Sequence, residues 1–337
     1  MKKITNRELA KIAGVSPTAV SFAINGKKGI SEETRNHILG IAQELNHPFA
    51  QGMKGVSNDI NIAVLFRHDI SSIDRLFYSE LNNSIMQACN RLPCNLILAS
   101  AYYENDEVIL SDIMYSNQID GILLYGDISR RILTKLYSLD IPMVALDSSR
   151  KNTDILSVYV NYSDAAYTAT CHLLELGHRD IAYIGNEQLH EFNISTFSGF
   201  QTATTEYDIT LATNRIQFNV FDEDTLYQSL DAILSGSTQP TALFCATDYY
   251  AIHAIKHLNA KGIFVPNDIS VIGIDDIEFS KYFIPSLTTV RIDRELMGRY
   301  GFELLQKLIQ GEPCEKVRMP PAELIIRDST APPSMQT

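Results

Sequence analysis

The first 45 residues are punctuated as three short helices, and no other stretch restricts what this chain can fold into as tightly. Thr5-Asn6-Arg7-Glu8 has the form of a capping box: the Thr5 hydroxyl can accept from the amide of Glu8, while the Glu8 carboxylate reaches back to the amide of Thr5. Leu9, Ile12 and Ala13 then fall on one predicted face, and Gly14 supplies a residue tolerant of the positive φ that closes a helix. Ser16 is the next N-cap, with Pro17 at the first helical position, where its missing N–H costs nothing. Val20, Ala23 and Ile24 give that helix an apolar stripe, and Gly26 ends it. Ser31 caps a third helix whose Ile38, Ile41, Ala42 and Leu45 recur at helical spacing. Two helices joined by a short Gly turn and braced by a third make a helix-turn-helix pattern, which can set one helix into a DNA major groove.

Charge supports that reading once it is divided along the chain. The whole chain carries a formal net charge of -12, which by itself argues against a nucleic-acid partner. Residues 1–57 hold eight cations (Lys2, Lys3, Arg7, Lys11, Lys27, Lys28, Arg35, Lys54) against four anions (Glu8, Glu32, Glu33, Glu44), a balance of +4 that leaves the remainder at -16. A basic head on an acidic body binds phosphate locally and keeps the body off the duplex.

From Asn61 the pattern changes to short apolar runs alternating with amphipathic helices. Strands are predicted at 61–66, 95–100, 121–125, 143–146, 157–160, 180–184, 216–219, 241–245, 269–274 and 288–291, with helices between most of them, among them 77–91, 129–139, 163–176, 222–235 and 248–261. Near-continuous apolar strands such as GILLY and SVIGI imply parallel sheets covered on both faces. So many strands exceed one small sheet, so two side-by-side α/β units are expected. No apolar run approaches the ~18 residues of a membrane span. No apolar stretch follows the basic start, so a cytoplasmic protein without a secretory signal is expected. Five cysteines without a CxxC pair read as free thiols in a reducing compartment. No GxGxxG, Walker loop, GxSxG or metal-spaced His/Cys set points to an enzyme, and no cofactor is implied. His172 reads as a packed side chain and His178 as a helix-end cation.

The run TNRELAKIAGVSPTAVSFAING at 5–26 resembles the DNA-binding headpiece of the LacI/GalR family of bacterial regulators. The resemblance continues through LLELGHRDIAYIG at 173–185, VPNDISVIGIDD at 265–276 and PSLTTV at 285–290, so it spans nearly the whole chain in the expected order. It implies an all-α helix-turn-helix head over 1–46 and a hinge or linker over 47–59. A two-lobed periplasmic-binding-protein-like (type I) α/β core would follow over 60–328. The N-lobe would be about 60–161 and 291–320, the C-lobe about 162–290 and 321–328, with a disordered tail at 329–337. It also implies a transcriptional regulator, commonly a repressor, that binds a palindromic operator in double-stranded DNA as a homodimer. A small-molecule effector in the interlobe cleft would modulate it.

The second helix is then the reader, with Pro17, Thr18 and Phe22 turned toward base edges. Many family members carry Arg at Phe22, suited to guanine; Phe can only pack on thymine methyls, which predicts a different operator. Phosphate contacts would come from Thr5, Ser16, Ser21, Asn25 and Ser31. The linker departs from the family pattern: Gly52 and Gly55 disfavour a hinge helix, and the Leu that normally wedges into the minor groove falls on Gly55. Met53 or Val56 would then be the wedge, or the linker would form no ordered helix.

By the same resemblance Asp275, Phe221 and Asp147 match effector contacts, with Phe77 and Tyr125 as further cleft candidates. Asn161 and Thr247 stand at effector positions but depart from the pattern, as Asn161-Tyr162 for the usual Asp-Asn and Thr247-Asp248 for the usual Asn-Asp. Thr196 occupies the place of an Arg, and its loss removes a bidentate donor for carboxylates or vicinal hydroxyls. Two other readings stay open on the sequence: a solute-binding protein, and a regulator answering to a protein partner, a branch that FYSEL at 77–81 resembles.

Overall fold

A computed structural model describes residues 5–24, 29–45, 60–67, 72–90, 93–116, 118–126, 128–148, 154–186, 191–236 and 238–334. The chain divides into a unit ending at Ile60 and a second unit from Asn61 onward.

The first unit holds α1 (Asn6–Ile12), α2 (Pro17–Ile24) and α3 (Glu32–Glu44). The capping box forms as written: Thr5 N donates to Glu8 Oε2 at 2.8 Å, and Glu8 N donates to Thr5 Oγ1 at 3.4 Å. Gly14 takes φ +67°, which turns the chain from α1 into α2. Leu9, Ala10, Ala13, Val20, Ala23, Ile38 and Ala42 are buried together, with Ile41 and Leu45 packed against them. Ile12 departs from the expected stripe and is 55% exposed. Ala10 is buried beside Leu9 and Ala13, so the inward face of α1 is centred on Leu9, Ala10 and Ala13 and leaves Ile12 at its edge.

The second unit contains two sheets. The first runs in the order β12-β6-β5-β4-β1-β2-β3. Its strands are β1 (Ile60–Arg67), β2 (Cys94–Glu104), β3 (Glu107–Leu110), β4 (Gly121–Tyr125), β5 (Met143–Leu146), β6 (Leu156–Tyr159) and β12 (Val317–Arg318). α4 (Ser72–Cys89), α5 (Arg130–Tyr137) and α11 (Arg294–Ile309) belong to this lobe. The second sheet runs β13-β11-β10-β9-β7-β8. It is built from β7 (Ile181–Ile184), β8 (Ile216–Gln217), β9 (Ala242–Cys245), β10 (Ser270–Asp275), β11 (Thr288–Arg291) and β13 (Glu323–Ile325). α6 (Tyr162–Glu175), α7 (Glu191–Glu206), α8 (Glu223–Leu234), α9 (Asp248–Ala260) and α10 (Glu278–Tyr282) accompany it.

The central pairs are parallel, as the unbroken apolar strands require: β4, β7 and β9 are buried at every residue. The sheets are nevertheless mixed, because β2–β3 and β11–β13 pair antiparallel. The chain passes from one sheet to the other after β6, β11 and β12. Both sheets therefore point their carboxyl ends toward these crossings, where ligands of open α/β sheets bind.

The expected disorder from Ser329 is corrected: the tail is strapped to the C-lobe through Ala331. Ser329 Oγ donates to Val271 O at 2.6 Å and accepts from Thr288 N at 2.8 Å. Ala331 O meets His178 Nε2 at 2.9 Å and Ser270 Oγ at 3.0 Å. These bonds satisfy backbone groups that would otherwise be buried without partners. They also correct His178, which is 1% exposed and not a helix-end cation. Burial pushes its pKa down and keeps the ring neutral. Among the described residues no helix is long and apolar enough to cross a membrane.

Candidate functional site

The head presents its polar residues at helix starts. Ser16 Oγ accepts from Ala19 N at 3.1 Å and Ser31 Oγ from Thr34 N at 3.1 Å, so both are caps before they are anything else. Thr5, Ser16, Pro17, Thr18 and Ser31 are exposed, while Ser21 and Phe22 are half-buried. Phe22 lies against Gly29: a Cβ added there would sit 2.7 Å from its ring. Arg35 Nη1 donates to the carbonyls of Phe22 at 3.0 Å and Ala23 at 3.3 Å, tying α3 to the end of α2. The exposed start of α2, at Pro17 and Thr18, is thus held rigidly by a packed core. Asn25, Met53 and Val56 lie outside the described residues.

In the second unit, the carboxyl ends of two strands carry aspartates in left-handed backbone. Asp147 follows β5 at φ +60° and Asp275 ends β10 at φ +129°. A non-glycine residue is rare there, and such strain collects at functional sites. Tyr162, the first residue of α6 in the C-lobe, donates its hydroxyl to Asp147 Oδ1 of the N-lobe at 2.7 Å. Burial first, then the charges of Asp147 and Asp275, hold the Tyr162 hydroxyl well above its ordinary pKa, so it remains a donor. Phe192 meets the Tyr162 ring edge-on, with centroids 4.6 Å apart.

On the N-lobe side Tyr125 stacks on Tyr78 at 4.7 Å and donates to Asn82 Oδ1 at 2.5 Å. Phe77 meets Tyr78 edge-on, and the Arg294 guanidinium lies 5.4 Å over the Phe77 ring. Arg294 closes the seam between lobes. It donates to Asp275 O at 2.5 Å, to Asp276 O at 2.8 Å and to Glu80 Oε2 at 2.7 Å. Glu80 also accepts from Glu278 N at 3.2 Å.

Four of the eight expected effector residues, Phe77, Tyr125, Asp147 and Asp275, are linked through these contacts. The other four are spread around them. Asn161 caps α6 and Thr247 caps α9. Thr196 is fully buried and donates to Phe192 O at 2.6 Å, so its hydroxyl is spent inside α7. Phe221 is 44% exposed just before α8. A cavity of about 400 Å³ opens nearby, lined by Glu80, Ser84, Asp276, Glu278, Lys281 and Arg291 among others. None of the eight lines it, although Glu80 and Arg294 of the seam do.

Comparison with known proteins places both units. Residues 5–48 match the family described as "Bacterial regulatory proteins, lacI family", and residues 170–330 match "Periplasmic binding protein-like domain". The chain is similar to the HTH-type transcriptional repressor PurR of Histophilus somni (strain 129Pt), with 31% identity over 333 residues, covering 96% of this chain and 98% of that protein. The chain belongs to the LacI family.

Its fold is that of solved family members. It superposes on a lac repressor dimer bound to operator and the anti-inducer ONPF with a TM-score of 0.70 at 23% identity, over 98% of this chain and 100% of that one. A LacI family regulator from Enterococcus faecium with bound ribose gives 0.69 at 26% identity, over 81% of this chain and 99% of that one. Within the LacI frame, the residues that sequence reasoning missed are Tyr78, Glu80, Asn82, Phe192 and Arg294. Arg294 and Glu80 lie 214 positions apart, and no local spacing marks them as partners. Tyr78 and Asn82 stand at helical spacing on α4 beside the expected Phe77, which is the one local cue.

Proposed function

We propose that this LacI-family protein is a transcriptional repressor whose α2 reads a palindromic operator as a homodimer, with affinity set by an effector in the interlobe cleft. The family match over residues 5–48, together with an exposed α2 start on a packed three-helix core, carries the DNA-binding half. One head covers only a half-site, and pairing two heads supplies the palindrome. Pro17 and Thr18 approach base edges, and Ser16 and Ser31 approach phosphates through hydroxyls and helix N-termini. Phe22 contributes apolar contact from the rim of its packing site, and Thr5, Ser21 and Asn25 add backbone contacts. Met53 or Val56 serves as the wedge where the linker orders on DNA.

The domain plan proposed is a head over 1–46, a linker over 47–59 and a core from 60 onward; the division of the chain at Ile60 supports the last of these bounds. The effector half rests on one observation: two aspartates in strained backbone flank the Tyr162 hydroxyl across the lobe seam. Carboxylates accept, so they select a ligand rich in hydroxyl or amine donors, and the Tyr78–Tyr125 stack offers an apolar platform for a ring. The guanidinium of Arg294 is committed to Asp275 O, Asp276 O and Glu80, and Thr196 offers no bidentate fork. A sugar-like neutral ligand fits this set better than a phosphorylated or carboxylated one.

Thermal-shift screening of neutral sugars against their phosphates tests the effector reading. Stabilisation by a neutral sugar, lost in Asp275→Asn, is expected. Preference for phosphates, unchanged by Asp275→Asn, would overturn it. Electrophoretic shift with a selected palindromic duplex, with and without that ligand, tests the coupling.

A further inference from the structure

Cys89 closes α4 and Cys94 opens β2, with four residues between them. Their Sγ atoms lie 3.4 Å apart. A disulfide holds its sulfurs at about 2.05 Å, so a shift of about 1.4 Å, within the reach of one side-chain adjustment, joins them. The two thiols differ in access. Cys89 is 3% exposed, while Cys94 is half-buried and meets solvent. Burial, with the neighbouring Cys94 sulfur adding to it, pushes the Cys89 thiol up to about 12, so Cys89 stays protonated and does not start chemistry alone. Cys171 lies on α6, Cys245 on β9 and Cys314 in the chain after α11, so they belong to other elements.

The pair also sits at a meaningful place. Asn95, next to Cys94, donates through Nδ2 to Asn61 Oδ1 at 2.9 Å, and Asn61 N donates to Asp120 Oδ2 at 2.8 Å. Asn61 is the residue at which the chain enters the core unit. A covalent change at Cys94 is therefore one residue and one hydrogen bond from the start of the core.

We propose that Cys89 and Cys94 form a redox modification site that takes a hydroperoxide as oxidant and closes to a reversible disulfide. The exposed Cys94 sulfur, as thiolate, attacks the terminal peroxide oxygen. The O–O bond breaks, the alkoxide or hydroxide leaves and takes up a proton, and Cys94 becomes a sulfenic acid. The Cys89 sulfur then attacks the Cys94 sulfur. The S–O bond breaks, and hydroxide leaves with the Cys89 proton as water. Two thiols lose two electrons in all, and the hydroperoxide is reduced to an alcohol, or water, plus water. The 3.4 Å separation lets the second step outrun further oxidation of the sulfenic acid. Intracellular disulfides of this kind are transient sensors rather than structural staples.

The test uses the full-length reduced chain treated with a small excess of hydrogen peroxide, then alkylated and peptide-mapped. Two of the five thiols should disappear together into one intrachain Cys89–Cys94 peptide, and dithiothreitol should restore both. In Cys89→Ser the same dose should carry Cys94 on to sulfinic acid that dithiothreitol does not restore. In Cys94→Ser, Cys89 should stay unreacted. Sulfinic acid forming at Cys94 as fast in the wild type as in Cys89→Ser would overturn the proposal. So would a link from Cys94 to Cys171, Cys314 or a second chain. No DNA or effector enters the assay, so its outcome is separate from that of the regulatory reading.

Discussion

Replacing Arg294 by Met keeps the length of the stem and removes the guanidinium that closes the lobe seam. In the native chain the side chain is 7% exposed and bonds three acceptors, at Asp275 O, Asp276 O and Glu80 Oε2. Its loss leaves the Asp276 carbonyl without this donor, at about 1–3 kcal/mol, while Asp275 O keeps the Ile292 amide at 3.3 Å, and it leaves the Glu80 carboxylate without its cation. Removing one partner of a buried pair costs about 3–5 kcal/mol. Glu80 is 34% exposed and can regain water, so the lower end applies, about 3 kcal/mol. Glu80→Gln leaves Arg294 its two carbonyls and should cost about 1 kcal/mol. The double variant should cost little more than Arg294→Met alone, with a coupling of about 1 kcal/mol. The chain has 16 tyrosines and no tryptophan, so urea unfolding is followed by near-ultraviolet circular dichroism or tyrosine emission. A loss under about 1 kcal/mol for Arg294→Met, or strict additivity in the double variant, would refute the seam argument.

Further outcomes follow from the same contacts. Thr5→Ala removes the capping box and should cost the head about 1 kcal/mol, seen as roughly fivefold faster amide exchange at Glu8 and Leu9. Phe22→Arg should change the sequences recovered in a binding-site selection, whereas Ser31→Ala should weaken all duplexes alike. Unchanged preference in Phe22→Arg would remove α2 from the reading role. Burial lowers the pKa of His172 and His178 below the ordinary 6.5, so both are neutral in the fold. The unfolded chain then binds more protons below pH about 6.5, and core stability should fall as pH drops through that range. Proteolysis of the tail after Ala331 should rise in parallel, and His178→Asn should shrink both effects.

Much of this architecture is written in local chemistry. Thr5, Glu8, Gly14, Ser16 and Ser31 act within three or four residues of themselves, so their spacing alone fixes the caps and the turn of the head. Strands such as Gly121–Tyr125 were legible because burial on both faces demands an unbroken apolar run. β3 was missed although its cue was present: Asn105 and Asp106, at φ +46° and +66°, form a two-residue hairpin turn between Glu104 and Glu107. The ordered tail was unreadable, since its partners Ser270, Thr288, His172 and His178 lie 41 to 158 positions away. The cleft was legible in part. Asp147 and Asp275 stand at predicted strand ends, but Arg294 and Glu80 meet only through the third dimension. Thr196 was placed by correspondence, and its burial inside α7 follows from packing that no spacing reveals.

The most direct test of the central claim is binding of the purified full-length chain to a randomised double-stranded oligonucleotide pool at low ionic strength, followed by sequencing of what is retained. The account predicts enrichment of one palindromic sequence, with affinity that falls steeply as salt rises. Retention of no duplex, or of every duplex equally at all salt concentrations, would contradict it.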